Sequence, residues 1–192
     1  MALAPEDRQT LLKLARNTIA NQARGQRVPE VNPDTTPEDL WRDAACFVTL
    51  TKYGQLRGCI GSLEAHQPLV LDVRDNAIGA AFRDPRFPPV STDELDDLHI
   101  EISVLSHPEP LPYDGPDDLI AKLRPNVDGV VIERGWNRAT FLPQVWEKLS
   151  DPHEFLEHLC LKAYLPADAY RHPGLDVYTY QVEKFEEGRG IS

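Results

Sequence analysis

The stretch AACFVTLTKYGQLRGCI, residues 44–60, carries the first decision about the fold. Cys46, Val48 and Leu50 alternate along residues 44–52, the period of a strand with one apolar face. Lys52-Tyr53-Gly54-Gln55 supplies a glycine-containing turn, and residues 55–60 run back, so the two segments read as a β-hairpin. A hairpin joins antiparallel neighbours. It therefore favours an α+β fold with an antiparallel or mixed sheet flanked by helices over repeating strand–helix–strand units.

Working outward, the same logic assigns the rest of the chain. A helix is expected over residues 5–23, where Pro5 suits the first helical position and Leu11, Leu12, Ala15 and Ile19 form one stripe. Residues 67–82 read as a second helix. Three prolines within 83–90 forbid its continuation. Ser91-Thr92-Asp93-Glu94 matches a capping box. Residues 98–106 alternate as a half-buried strand, with Ile100, Ile102 and Val104 on one face and Glu101 on the other. A short helix over 116–123, two strands over 127–142, a helix over 142–149, a helix opened by Asp151 and a single strand over 176–187 follow.

The 192 residues suit one domain spanning 1–192. A net charge of −11 opposes nucleic acid and anionic membranes, which require basic surfaces. No apolar run reaches the roughly 20 residues that cross a bilayer. The first residues lack the pattern of a secretory signal. Three cysteines cannot all pair within one chain, so a cytoplasmic protein with reduced thiols is expected. The cysteines include no Cys-x-x-Cys pair, so no metal site is assigned, and no nucleotide or cofactor motif appears.

The segments LRGCIGSLEA (56–65), DPRFPPV (84–90), IEISVLS (100–106), GWNRATFLPQVW (135–146) and FLEHLCLKA (155–163) occur in this order. In them the chain resembles the AMMECR domain family, whose microbial members are called AmmeMemoRadiSam system protein A. The resemblance implies a larger sheet-bearing lobe, a smaller lobe and a cleft between them near LRGCIG. It also implies Memo-like and radical-SAM proteins as partners. Trp136-Asn137 stands where many relatives carry a more basic pair.

Within LRGCIG, alternation places Arg57, Cys59 and Gly61 on one strand face. A guanidinium beside a thiol favours the nucleophilic thiolate, and Gly58 and Gly61 leave room for a ligand or another backbone. Against this, cysteine packs readily as a small hydrophobe. A two-residue turn at Tyr53-Gly54 would set Cys59 opposite Val48, on the apolar face, although the sequence leaves the register open. Among the histidines, His158 is the first choice as a base, being polar within an apolar helix. Glu101 either lines the cleft or meets water. Asp84 and Arg86 form a local ion pair, or Arg86 serves as a second anion clamp. Gln144 and the amides opening the 143–149 helix are a candidate oxyanion site.

The resulting expectation is an enzyme or enzyme subunit for acyl or related group transfer on a small anionic or amide-bearing molecule. Cys59 is the attacking or anchoring thiol; Glu101 and His158 are the acid–base candidates. Arg57, Gly58, Gly61, Asp84, Arg86 and Gln144 would contact the ligand. The competing expectation is a non-catalytic adaptor that presents a substrate to a Memo-like or radical-SAM partner.

Overall fold

The computed structural model describes residues 3–188. The chain is α+β and folds into two compact units. One runs to Leu105 and takes back the segment from Glu183; the other is Ser106–Val182.

In the first unit, helix α1 (Pro5–Ala23) begins at Pro5 with Glu6 and Asp7 in its first turn, where carboxylates suit the positive end of the helix dipole. It ends before Gly25, whose φ of 67° is left-handed. Strands β1 (Ala45–Lys52) and β2 (Gln55–Gly61) form the expected hairpin. Helix α2 (Leu69–Phe82) and strand β3 (Leu98–Leu105) follow. The sheet order is β2-β1-β3-β8, where β8 is Val182–Glu186. Helix α2 packs on β1 and β2, and α1 on α2 and β3. Their shared core includes Leu11, Ile19, Val48, Leu50, Val73, Ala77, Ile100 and Ile102.

A buried carboxylate ties α2 to the hairpin. Asp72 accepts hydrogen bonds from the Cys46 amide (2.9 Å), the Ser62 hydroxyl (2.8 Å) and the Asn76 side-chain amide (2.9 Å). Burial, with the Asp72 charge beside it, pushes the Cys46 thiol well above its ordinary range.

The second unit carries a sheet of order β4-β7-β5-β6, from β4 (Glu109–Pro110), β5 (Gly129–Arg134), β6 (Asn137–Phe141) and β7 (Asp176–Tyr180). Helices α3 (Pro116–Lys122) and α4 (Pro152–Lys162) complete it. Asp151 caps α4 by accepting from the His153 and Glu154 amides. Trp146 stacks on Phe155 at 3.6 Å within the core and donates to the Asp128 carbonyl.

Two elements differ from the sequence reading. The strand expected over 176–187 is two strands, β7 and β8, in different sheets. They part at Gln181, whose amide donates to the Ser106 hydroxyl and whose carbonyl accepts from the Ser106 amide. The helix expected over 142–149 is a 3-10 turn, Pro143–Glu147. Pro143 opens it, and only about one further turn forms before the chain bends toward Asp151.

Candidate functional site

The hairpin register answers the question that LRGCIG poses. The connection is the two-residue loop Tyr53-Gly54, with both residues at positive φ (52° and 78°). Uninterrupted pairing from Lys52↔Gln55 would bring Cys59 opposite Val48. Instead the register shifts between Leu50 and Thr51, where Leu50 pairs with Gly58 and Thr51 with Leu56. Arg57 is the extra residue of a β-bulge, and every later residue of β2 moves by one place. Cys59 therefore faces Thr49, not Val48. Val48 is fully buried, whereas Thr49 and Cys59 are part-exposed.

Across the sheet, Thr49 pairs in turn with Glu101. Cys59, Thr49 and Glu101 thus form one row over three adjacent strands, on the face opposite the helices. With strands about 4.8 Å apart, the ends of the row are about 10 Å apart at the backbone. Thr49 Oγ1 lies 3.2 Å from Cys59 Sγ. Glu101 is part-exposed, and its carboxylate makes no hydrogen bond or ion pair with the described residues.

β2 is an edge strand, and the loop after α2 seals it at the cysteine. The Cys59 amide donates to Asp84 Oδ2 (2.9 Å), and the Cys59 carbonyl accepts from Arg86 Nη2 (3.2 Å). Asp84 is buried and binds Arg86 through both oxygens, at 2.9 and 2.7 Å. Arg86, chiefly, and the Cys59 amide hold the Asp84 carboxyl well below the usual carboxylate range, despite its desolvation. Arg86 is raised, first by Asp84 and more weakly by the charge of Cys59. So Asp84 and Arg86 do form the local ion pair, and they also grip both backbone groups of Cys59. Among the described residues Arg86 Nη1 has no partner, on a side chain that is 53% exposed.

Arg57 has a different place from the one expected of it. Its Nε and Nη2 donate to Glu94 at 3.0 and 2.9 Å, and the residue is buried. Glu94 also accepts from the Ser91 amide, completing the capping box, and from Lys52. The guanidinium beside Cys59 is that of Arg86. Arg57, displaced by the bulge, secures the strand to the 91–97 turn.

The room left by the two glycines is filled by the protein itself. A Cβ on Gly58 would meet the Ala80 carbonyl oxygen at 2.1 Å, and one on Gly61 the Phe47 ring at 2.3 Å. These glycines admit backbone and ring, not a ligand.

The remaining expected site residues, His158 and Gln144, belong to the second unit, and both are exposed. The turn that carries Gln144 is too short to act as a helix N-terminus. In the same unit the fully exposed Trp136 precedes Asn137, whose amide donates to the Ala163 and Tyr164 carbonyls. Sequence reasoning missed Thr49, which the bulge brings into line, and Glu94 as the partner of Arg57. The capping box had already marked Glu94 as an ordered carboxylate. Among the described residues no helix is long and apolar enough to cross a membrane.

Known proteins match this chain over nearly its whole length. A protein of Methanothermobacter thermautotrophicus is 44% identical over 186 residues, covering 96% of both chains. Protein MJ0810 of Methanocaldococcus jannaschii is 37% identical over 96% of this chain and 92% of its own. The crystal structure of the uncharacterized protein PH0010 from Pyrococcus horikoshii superposes with a TM-score of 0.77 at 37% identity, covering 96% of this chain and 93% of that one. The AMMECR1 family profile matches residues 12–185, and the chain belongs to the AMMECR1 family.

Proposed function

We propose that the chain is an enzyme, or the enzyme subunit of a larger assembly, in which Cys59 attacks a small electrophile bearing an anionic group. The observation that carries this reading is the setting of the sulfur. Cys59 is a part-exposed residue, its sulfur 3.2 Å from a hydroxyl, on a strand whose backbone is clamped at that residue by a buried carboxylate and a half-exposed guanidinium. A nucleophile so held has little freedom left to lose on the way to the transition state. Arg86 Nη1, which has no partner among the described residues, is the donor for the anionic group. Glu101, at the far end of the row from Cys59, is the carboxylate placed to exchange a proton with a substrate that spans the row. In acyl transfer, Sγ would form a thioester as the leaving group departs with a proton, and an acceptor would then take the acyl group.

Limited iodoacetamide treatment of the folded protein at neutral pH tests this. Alkylation is expected at Cys59 alone, because Cys46 and Cys160 are fully buried. Cys59→Ser is expected to abolish complementation of a deletion strain. Full complementation by that variant, or a Cys59 that resists alkylation, would overturn the reading.

A further inference from the structure

A groove of about 820 Å³ lies wholly within the second unit, where residues of the 110–116 and 170–178 segments line it along the β4–β7 edge of the sheet. We propose that this groove binds a linear aliphatic polyamine, a molecule with two or more ammonium groups joined by methylene chains.

Charge selects the sign of the ligand. Arg171 and His172 are the basic side chains of the lining, and each already has a carboxylate, Glu157 at 3.5 Å and Asp168 at 3.2 Å. Asp176, in the same lining, is exposed, and its carboxylate makes no hydrogen bond or ion pair with the described residues. It stands directly across the sheet from Glu133, which takes the Arg138 guanidinium at 2.7 Å. Like charges in facing positions repel, and a bound cation removes that cost. Asp114, between the lining residues Tyr113 and Gly115, and Asp117, after Pro116, are further exposed carboxylates without an ion pair among the described residues. The Asp176 charge is felt at the opposite wall. The Tyr113 hydroxyl is raised, by its burial first and, against the opposing effect of Arg134, by the charge of Asp176.

The surface between the carboxylates selects the rest. Tyr113, Tyr170 and Tyr178 line the groove together with Pro110, Pro112 and Pro173. Tyr178 is two residues from Asp176 on the same face of β7, so their Cα atoms are about 7 Å apart. A tyrosine ring attracts an ammonium group through its face. One wall already uses this attraction, since the Arg171 guanidinium sits 5.2 Å from the centre of the Tyr170 ring. Proline and tyrosine surfaces suit methylene chains, which gain by leaving water. A bare metal ion would leave these surfaces uncovered. A polyamine covers them and brings a positive charge to more than one carboxylate, in a space of the size that small-molecule sites have.

Calorimetric titration of the full-length chain with spermidine at about 0.1 M salt, where distant charges are largely screened, tests this. Saturable one-to-one binding is expected, with a Kd below about 1 mM. Asp176→Asn is expected to weaken it roughly fivefold, and Tyr178→Leu, which keeps apolar bulk but removes the ring, roughly threefold. Asp34→Asn removes an equal charge from an exposed position in the first unit and is expected to leave the affinity unchanged. A cooperative melting transition shows that each variant is folded, and Tyr178→Leu decides the matter should Asp176→Asn not fold. Equal weakening by Asp34→Asn and Asp176→Asn would mean that spermidine answers to the net charge of −11 alone, and would overturn the proposal. So would the absence of saturable binding, or full affinity in the two groove variants. N-acetyl-lysine amide, with a single ammonium group, is expected to bind at least about tenfold more weakly than spermidine. Equal binding would assign the groove to lysine side chains of a protein partner and overturn the polyamine assignment.

Discussion

Replacing Gly58 by alanine is expected to destabilise the first unit by more than about 3 kcal/mol, beyond the usual range for an overpacked core. The added Cβ would sit 2.1 Å from the Ala80 carbonyl oxygen and 3.0 Å from its carbon. Both are backbone atoms of α2, so no side-chain rotation relieves the contact. α2 cannot retreat cheaply either. On the same interface Ile60 packs against Gly79, where a Cβ would meet the Ile60 side chain at 2.8 Å. Glycines thus face the partner element on both sides, on the strand at 58 and on the helix at 79. For a chain of this size the loss corresponds to roughly 6–12 °C in Tm, readable by calorimetry. Gly54→Ala is the control. Its φ is 78° and nothing lies within 4 Å of the place a Cβ would take, so only the left-handed backbone penalty of about 1–2 kcal/mol applies. A Gly58→Ala protein as stable as the Gly54→Ala protein would show that the close approach of α2 and β2 is not what requires glycine.

The hairpin, both long helices of the first unit and the α+β class were legible because local signals and tertiary packing agree there. Pro5, the glycine turn and the alternation of Cys46, Val48 and Leu50 each point to the element that forms. The site was legible only in part. LRGCIG pointed to Cys59, and Asp84 and Arg86, which the structure places against its backbone, were singled out too. Which arginine attends the thiol, however, depends on one inserted residue in one strand. A bulge is a choice made by the whole sheet and by Glu94, 37 residues away from Arg57, and no local pattern in residues 55–61 encodes it. The break at Gln181 is hidden for the same kind of reason. Tyr178, Tyr180 and Val182 keep one alternating frame across the break with no turn residue to mark it, and the switch of sheets is set by Ser106, distant in sequence. The Pro143 segment carried a correct start signal, but a start signal does not fix a helix's length.

Removing the partner of Arg57 should produce the second large effect. Glu94→Gln is expected to cost about 3 kcal/mol, at the low end of the range for breaking a buried ion pair because Glu94 itself retains some exposure. The cost arises from the guanidinium left behind: Arg57 is buried, and its Nη1 already lacks a partner among the described residues. The double variant Arg57→Met/Glu94→Gln should recover part of the loss, since a buried charge no longer goes uncompensated. pH gives an independent reading of the same pair. Arg57, above all, with the Ser91 amide and Lys52, lowers the Glu94 carboxyl from 4.5 to about 2, against the opposing effect of its burial. A carboxyl lowered on folding stabilises the native state at pH above its unfolded value, and this contribution is lost as pH falls through the folded one. The stability gap between the parent and Glu94→Gln should therefore be full above about pH 4.5 and close progressively toward pH 2. Asp84 acts in the same sense through Arg86, so the Glu94→Gln protein should still lose stability in acid, only less steeply. Parallel stability–pH curves for the two proteins would mean that Arg57 holds β2 in its bulged register by packing against Phe87 alone, without help from its charge. The register that brings Cys59 beside Thr49 would then rest on shape, and Arg57→Met by itself should leave the alkylation rate of Cys59 unchanged.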